Sequence, residues 1–224
     1  MVLSRAYRRS TGVRPTTGDI AVLTDAAERR LDRLSAHARQ ITPPVTPDDR
    51  RLIAYIVIEA ANLWASYGRC LFLSCALGAT DSNGRQIVPA PAATLDDALT
   101  LAVHAVHPNL RGTQQWKYNL LPDFQNKGEL GKAIRYIQAV VLPDVDLALG
   151  YQSRVLADLP TMRNYFAHKA ERAASSARGL APRYGLSRSL APEDLLCSVP
   201  RTTMGDILLR EWLADLNAIL GLMP

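Results

Sequence analysis

Cysteine is scarce in this sequence, and no apolar run is both long and uninterrupted. The three cysteines, Cys70, Cys75 and Cys197, are too few and too irregularly spaced for a disulfide framework or a zinc site of the CxxC type. The apolar stretch 52–77 contains Glu59, and a charge at the centre of a bilayer costs roughly 2.5–3.5 kcal/mol. We therefore expect a cytoplasmic protein without disulfides and without membrane contact.

The sequence also lacks the short motifs of the common enzyme classes. It has no glycine-rich phosphate loop, no GxSxG nucleophile elbow and no HExxH metalloprotease motif. His104 and His107 are three residues apart, but no acidic or cysteine side chain at a clear spacing accompanies them. These absences predict a protein with no bound metal and no cofactor.

Positive charge is present in excess and is unevenly distributed. The chain has 224 residues, of which 48% are hydrophobic and 21% charged, so it can bury a substantial core. The net charge is +5. The surplus lies in residues 1–51, which have ten basic and six acidic side chains, and in residues 150–190, which have seven basic and two acidic side chains. The second basic zone suits a polyanion such as RNA, and a solvated basic face is the alternative.

The spacing of apolar side chains predicts helices through most of the chain. Apolar residues recur at steps of three and four, and no segment alternates apolar and polar residues as a half-buried strand does. Helices are predicted over residues 19–40, 47–78, 94–107, 128–142, 144–156 and 203–222, with another around residues 161–168. Irregular loops are predicted over residues 79–93, 108–126 and 179–200. The predicted fold class is all-α, a helical bundle with long irregular loops.

We expect one domain that is preceded by a basic arm. Residues 1–18 are irregular and basic, and they lack the uninterrupted apolar core of a secretory signal. No Gly/Ser-rich linker and no block of charge divides residues 19–224. These residues are predicted to form a single helical domain.

The segment 163–168, with the sequence RNYFAH, combines side chains that suit RNA cleavage without a metal. Such cleavage needs a base for the ribose 2′-hydroxyl, an acid for the leaving 5′-oxygen and a cation for the phosphate. Histidine titrates near neutral pH and serves either proton transfer, and arginine binds phosphate oxygens through a charged planar fork. A two-fold dimer would supply two histidines and two arginines to a shared cleft.

This segment resembles the motif of the HEPN superfamily, whose ribonuclease members carry an arginine and a histidine separated by four to six residues, often with a polar residue after the arginine. Here four residues separate Arg163 from His168, and the polar residue is Asn164. The resemblance implies a HEPN-type bundle that dimerises about a two-fold axis. It also implies a metal-independent endoribonuclease that leaves 2′,3′-cyclic phosphate ends, acts as a toxin or in anti-phage abortive infection, and has an antitoxin or regulatory protein partner.

One position departs from a subgroup of that superfamily. Members that are paired with a nucleotidyltransferase carry a modified tyrosine two residues after the histidine, whereas this chain has Ala170 there. Control of the protein by that modification is therefore not expected.

Arg163, His168 and Asn164 are the predicted catalytic residues. Asn164 shares a helical face with His168 and is expected to orient it or to bind the phosphate. On an ideal helix, Arg163 and His168 point about 140° apart, so the arginine must bend back to reach the histidine. Arg30 and His37 also match the spacing, but no polar residue follows Arg30 as Asn164 follows Arg163.

Three further residues are assigned supporting roles. Lys169 and Arg172 follow the motif and are expected to contact the RNA backbone. Glu59 lies within an apolar helix, and a buried acid requires a partner, so it is expected to orient Arg163. A structural salt bridge between Glu59 and another residue is the alternative.

Two other functions fit the sequence. A non-catalytic HEPN-like module would bind RNA or a protein partner, and Arg163 and His168 would then be dispensable. A helical DNA-binding regulator would need a helix-turn-helix, for which the sequence shows no glycine-turn signature. Residues 116–118, WKY, are suited to stacking on nucleic-acid bases or to anchoring a loop on the core.

Overall fold

The computed structural model describes residues 13–111, 116–201 and 205–224, and the regular structure in this part of the chain is helical. The described residues contain nine α-helices and no β-strand, which confirms the predicted all-α class. In chain order the helices are α1 (Ala21–Ala38), α2 (Pro47–Ala76), α3 (Leu95–Val106), α4 (Lys127–Tyr136), α5 (Leu142–Leu149), α6 (Val155–His168), α7 (Glu171–Arg178), α8 (Pro192–Leu196) and α9 (Leu208–Leu220).

Helices α2 and α3 begin where the sequence predicts, because each start is fixed by its own first turn. The Asp49 amide donates to Thr46 Oγ1 at 3.2 Å, and the Asp49 carboxylate accepts from the Thr46 amide at 2.9 Å. The Thr46 hydroxyl, which donates to the Asp49 carboxylate at 2.6 Å, and then the Thr46 amide lower the pKa of the Asp49 carboxyl group. Thr94 and Asp97 form the same reciprocal box at the start of α3.

The middle of the chain differs from the prediction in where helices end. Residues 128–142 were expected to form one helix, but α4 ends at Tyr136, and Gln138 adopts a left-handed φ of 55°. Pro143 lies in the first turn of α5 and does not separate two helices. Proline is favoured there because the first helical amides have no partner within the helix. The predicted helix 144–156 is therefore replaced by the end of α5, a turn and the start of α6.

The segment after the motif is also more helical than expected. Lys169 adopts a φ of 47° and ends α6, after which α7 forms a separate helix. The predicted loop 179–200 contains a 3₁₀ turn, Ala181–Tyr184, and the short helix α8. Residues 1–12, 112–115 and 202–204 lie outside the described residues, and with them most of the predicted N-terminal arm and the first two residues of the predicted helix 203–222. Residues 205–207 were also predicted to be helical but are not, and α9 begins at Leu208.

The chain divides into two compact units. One contains the described residues up to Glu28, those of Leu63–Gln152, and Ile219–Pro224, and its core includes the fully buried Tyr67 and Phe72. The other contains Arg29–Asn62 and the described residues of Ser153–Ala218, with Leu31, Leu34, Ile53 and Ile56 fully buried. The single domain over residues 19–224 stays a prediction.

A search of the described residues for helices that could cross a membrane finds none with the required length and apolar character. The polar residues that interrupt α2 account for this result, as the sequence suggested.

Burial makes the three thiols unreactive in the native protein. It raises the pKa of Cys70 and of Cys75 to about 12 and that of Cys197 to about 11. Since the thiolate is the nucleophile, all three are protonated at neutral pH and out of contact with reagents. Ellman's reagent is expected to detect no thiol in the native protein and three in guanidinium chloride. Rapid reaction of the native protein would contradict this packing.

Candidate functional site

A buried carboxylate fixes the position of α6, the helix that carries the motif. Asp158 has no solvent exposure, and it accepts hydrogen bonds from Arg183 Nη1 and, at 2.8 Å, from the Tyr184 hydroxyl. The Trp212 indole donates to the same hydroxyl at 3.0 Å. Burial, followed by the Asp158 charge, raises the pKa of Tyr184. This network joins α6 to the 3₁₀ turn and to α9.

A second contact holds the other end of α6. The Tyr165 hydroxyl donates to Glu193 Oε1 at 2.9 Å, and Glu193 is a buried residue of α8. Burial and then the bond to Glu193 raise the pKa of Tyr165 to about 12, so this tyrosine remains a donor at neutral pH. The backbone of the motif is therefore held at both ends.

Arg163 carries a buried donor that no described residue satisfies. Its Nε atom is shielded from solvent and has no hydrogen-bond partner. Leaving such a donor unpaired costs roughly 1–3 kcal/mol, and most buried polar groups avoid that cost. Its Nη1 atom makes one long hydrogen bond, 3.5 Å, to Asn164 Oδ1.

His168 is presented at the surface without a side-chain partner. It is the last residue of α6, and the following turn is closed by the Lys169 amide, which donates to the Tyr165 carbonyl at 2.7 Å. The residue is exposed, and no hydrogen bond or ion pair joins its imidazole to another described residue. The imidazole is therefore available to a ligand.

The structure joins two of the three predicted catalytic residues directly. Asn164 lies about 40° around the helix from His168, on the same side, as the sequence predicts. The contact between Asn164 and Arg163 is the long hydrogen bond from Arg163 Nη1 to Asn164 Oδ1. Neither residue is hydrogen-bonded to His168 among the described residues, so the expected orientation of the imidazole by Asn164 is not seen.

Glu59 has a different partner from the one predicted. It forms an ion pair with Arg30, with 2.6 Å between Oε2 and Nη2, and the two side chains are 15% and 22% exposed. The predicted contact with Arg163 is therefore replaced by the alternative, a structural salt bridge. Arg30 also belongs to the second arginine–histidine match of the sequence, and the ion pair with Glu59 makes it unavailable to a ligand. The histidine of that match, His37, lies edge-on to the Tyr55 ring.

The basic residues after the motif differ in how they are paired. Arg178 is bound to Glu171 at 2.7 Å, and Arg183 is bound to Asp158. Lys169 and Arg172 are exposed and have no ion pair with any described residue. The two cations that were predicted to contact RNA are thus available to an anion.

His104 of α3 and His107, which directly follows this helix, do not form a metal site with other described residues. No group of three or more potential ligands occurs in the described parts of the chain. His104 Nε2 is buried without a partner, and the His104 carbonyl accepts from Arg111.

No protein-family model matches this chain, and comparisons with curated proteins and with solved structures give no match either. The likeness to the HEPN superfamily therefore rests on the motif residues and their spacing.

The hydrogen-bond network of Asp158 was not predicted from the sequence. One signal was present, since Asp158 is an acid within an apolar helix segment, as Glu59 is. Its partners Arg183 and Tyr184 are 25 and 26 residues away, and no local pattern identifies contacts at that distance.

Asp158→Ala is expected to destabilise the protein by about 3 kcal/mol, the lower end for a broken buried pair, because Arg183 retains 49% exposure. Denaturant unfolding measures the change. Asp48→Ala is the matched control, since Asp48 and its partner Arg51 are 89% and 82% exposed, and it is expected to leave the midpoint nearly unchanged. Equal effects of the two substitutions would contradict the anchoring role of Asp158.

Proposed function

We propose that this chain is a metal-independent endoribonuclease in which Arg163 and His168 act on the phosphodiester. The observation that carries the proposal is that one anchored helix presents both groups. The Nε atom of Arg163 is buried and has no hydrogen-bond partner, and the exposed His168 is not bonded to any other described side chain. A buried charged donor without a partner, such as Arg163 Nε, is uncommon, and such positions are often functional. The exposed imidazole of His168 is available to a ligand on the same helix.

The chemistry follows from the side chains. His168 takes the proton of a ribose 2′-hydroxyl, and the 2′-oxygen forms a bond to phosphorus as the bond to the 5′-oxygen breaks. A second histidine protonates the leaving 5′-oxygen, and the Arg163 guanidinium stabilises the charge on the phosphate. The products are a 2′,3′-cyclic phosphate and a 5′-hydroxyl.

Two protomers complete this set of groups. One chain supplies one histidine of the motif, whereas the reaction uses an acid and a base, so a two-fold dimer with both motifs at one cleft provides both. Lys169 and Arg172 are exposed beside the motif and bind the backbone of the RNA substrate.

The wider role follows the resemblance to the HEPN superfamily. We propose a cytoplasmic toxin or anti-phage effector that acts in a toxin–antitoxin or abortive-infection system through cleavage of cellular RNA. An antitoxin or regulatory protein partner would restrain such an activity.

The direct test is incubation of total RNA in EDTA with the wild type and with Arg163→Ala and His168→Ala. His168→Ala is expected to reduce cleavage by about 100- to 10,000-fold, the contribution of general acid–base catalysis. Arg163→Ala is expected to cost about 100- to 1,000-fold, as for a removed oxyanion donor.

His37→Ala is the matched control, because His37 belongs to the other arginine–histidine match and its arginine is held by Glu59. It is expected to cleave as the wild type does. Undiminished cleavage by His168→Ala would contradict the proposal. Binding of RNA by a dimeric wild type that cuts nothing would favour the non-catalytic module.

A further inference from the structure

A pocket in the unit that contains Leu63–Gln152 has the lining of a nucleobase site. Its volume is about 210 Å³, and it lies between α2 and the segment that follows Lys117. The lining residues are Ala65, Arg69, Tyr118, Leu121, Pro122, Asp123, Phe124 and Gln125. One aromatic ring at its rim, that of Tyr118, is 65% exposed, the most exposed of the large apolar side chains described.

The backbone beneath the pocket is packed closely on α2. A Cβ atom at position 68 would lie 2.8 Å from the Phe124 carbonyl oxygen, so only glycine permits this approach of helix and loop. The Trp64 indole donates to the Gln125 carbonyl at 3.2 Å, and the rings of Phe72 and Phe124 are 5.7 Å apart. Phe124 and Gln125, which line the pocket, are thus held in place by buried residues of α2.

The contacts of the residues beside Tyr118 show which aromatic side chain attaches this segment to the protein and which one is exposed for stacking. Trp116 donates its indole hydrogen to Asp96 at 3.0 Å, which ties the segment to the first turn of α3. Tyr118 begins a 3₁₀ turn that ends at Leu120, and its ring remains in solvent. Lys117, between the two aromatic residues, is exposed. The segment therefore has a fixed backbone, an exposed aromatic face and an adjacent cation.

We infer that this pocket binds an unpaired base of single-stranded RNA, with the base stacked on Tyr118. Exposed aromatic rings with neighbouring cations are the common feature of single-strand binding sites, because every base has a π-face and every nucleotide a phosphate. Lys117 contacts the phosphate, and Asp123 and Gln125 offer polar groups to the edge of the base. The choice of RNA as the ligand rests on the proposed function, because an enzyme that cleaves RNA must also bind it.

Binding is measured separately from cleavage by placing all variants in a His168→Ala background. The probe is a short fluorescein-labelled single-stranded RNA of mixed sequence, followed by fluorescence anisotropy, and the same RNA annealed to its complement is the second probe. Tyr118→Ala is expected to weaken binding of the single strand by about 5- to 150-fold, the contribution of one base–aromatic stack. Tyr118→Trp is expected to retain binding, and binding of the duplex is expected to be unchanged.

Tyr151→Ala is the matched control, because Tyr151 is also exposed, at 37%, and lies in the same unit outside the pocket. It is expected to bind both probes as the parent does. Equal binding of the single strand by Tyr118→Ala and its parent would overturn the inference, as would an equal loss for Tyr151→Ala. Because the assay measures binding and requires no cleavage, it tests this inference even if the protein is not a ribonuclease.

Discussion

The carboxylate of Asp158 is the constraint on which the candidate site depends. A buried negative charge is tolerated only where donors satisfy it, and here Arg183 and the Tyr184 hydroxyl do so from a turn that follows α7. The helix that bears the motif cannot rotate or slide without breaking these bonds. The hydrogen bond between Tyr165 and Glu193 applies the same restriction nearer its carboxyl end. Both contacts therefore fix the backbone position from which the motif side chains extend.

The two halves of α6 differ in how their polar groups are satisfied. Asp158 has its charge and its hydrogen bonds matched, whereas Arg163 keeps a buried donor without a partner and His168 ends the helix in solvent. A folded chain tolerates such a loss at a few positions when the rest of the structure is consistent, and those positions are commonly functional. The unsatisfied buried donor belongs to Arg163, which the sequence predicts to act together with the exposed His168.

Sequence reasoning succeeded where the cause of a structure is local. The starts of α2 and α3 depend on hydrogen bonds between residues three apart, and both starts agree with the predicted bounds. The break between two helices at Pro143 was predicted wrongly, because proline is also favoured in the first turn of a helix. The partner of Glu59 is 29 residues away, and no pattern distinguishes Arg30 from Arg163 at such separations. The approach of Asn164 to Arg163 likewise depends on side-chain conformations that spacing does not determine.

The most direct measurement of the central claim compares an RNA with its fully 2′-O-methylated counterpart, both incubated with the wild-type protein in EDTA. In the proposed mechanism the ribose 2′-hydroxyl is the nucleophile and His168 takes its proton, so a strand without free 2′-hydroxyls cannot react. The account predicts that the RNA is cut to fragments with 2′,3′-cyclic phosphate ends and that the methylated strand stays intact. Cleavage of both strands, or fragments that carry 3′-hydroxyl ends, would contradict it.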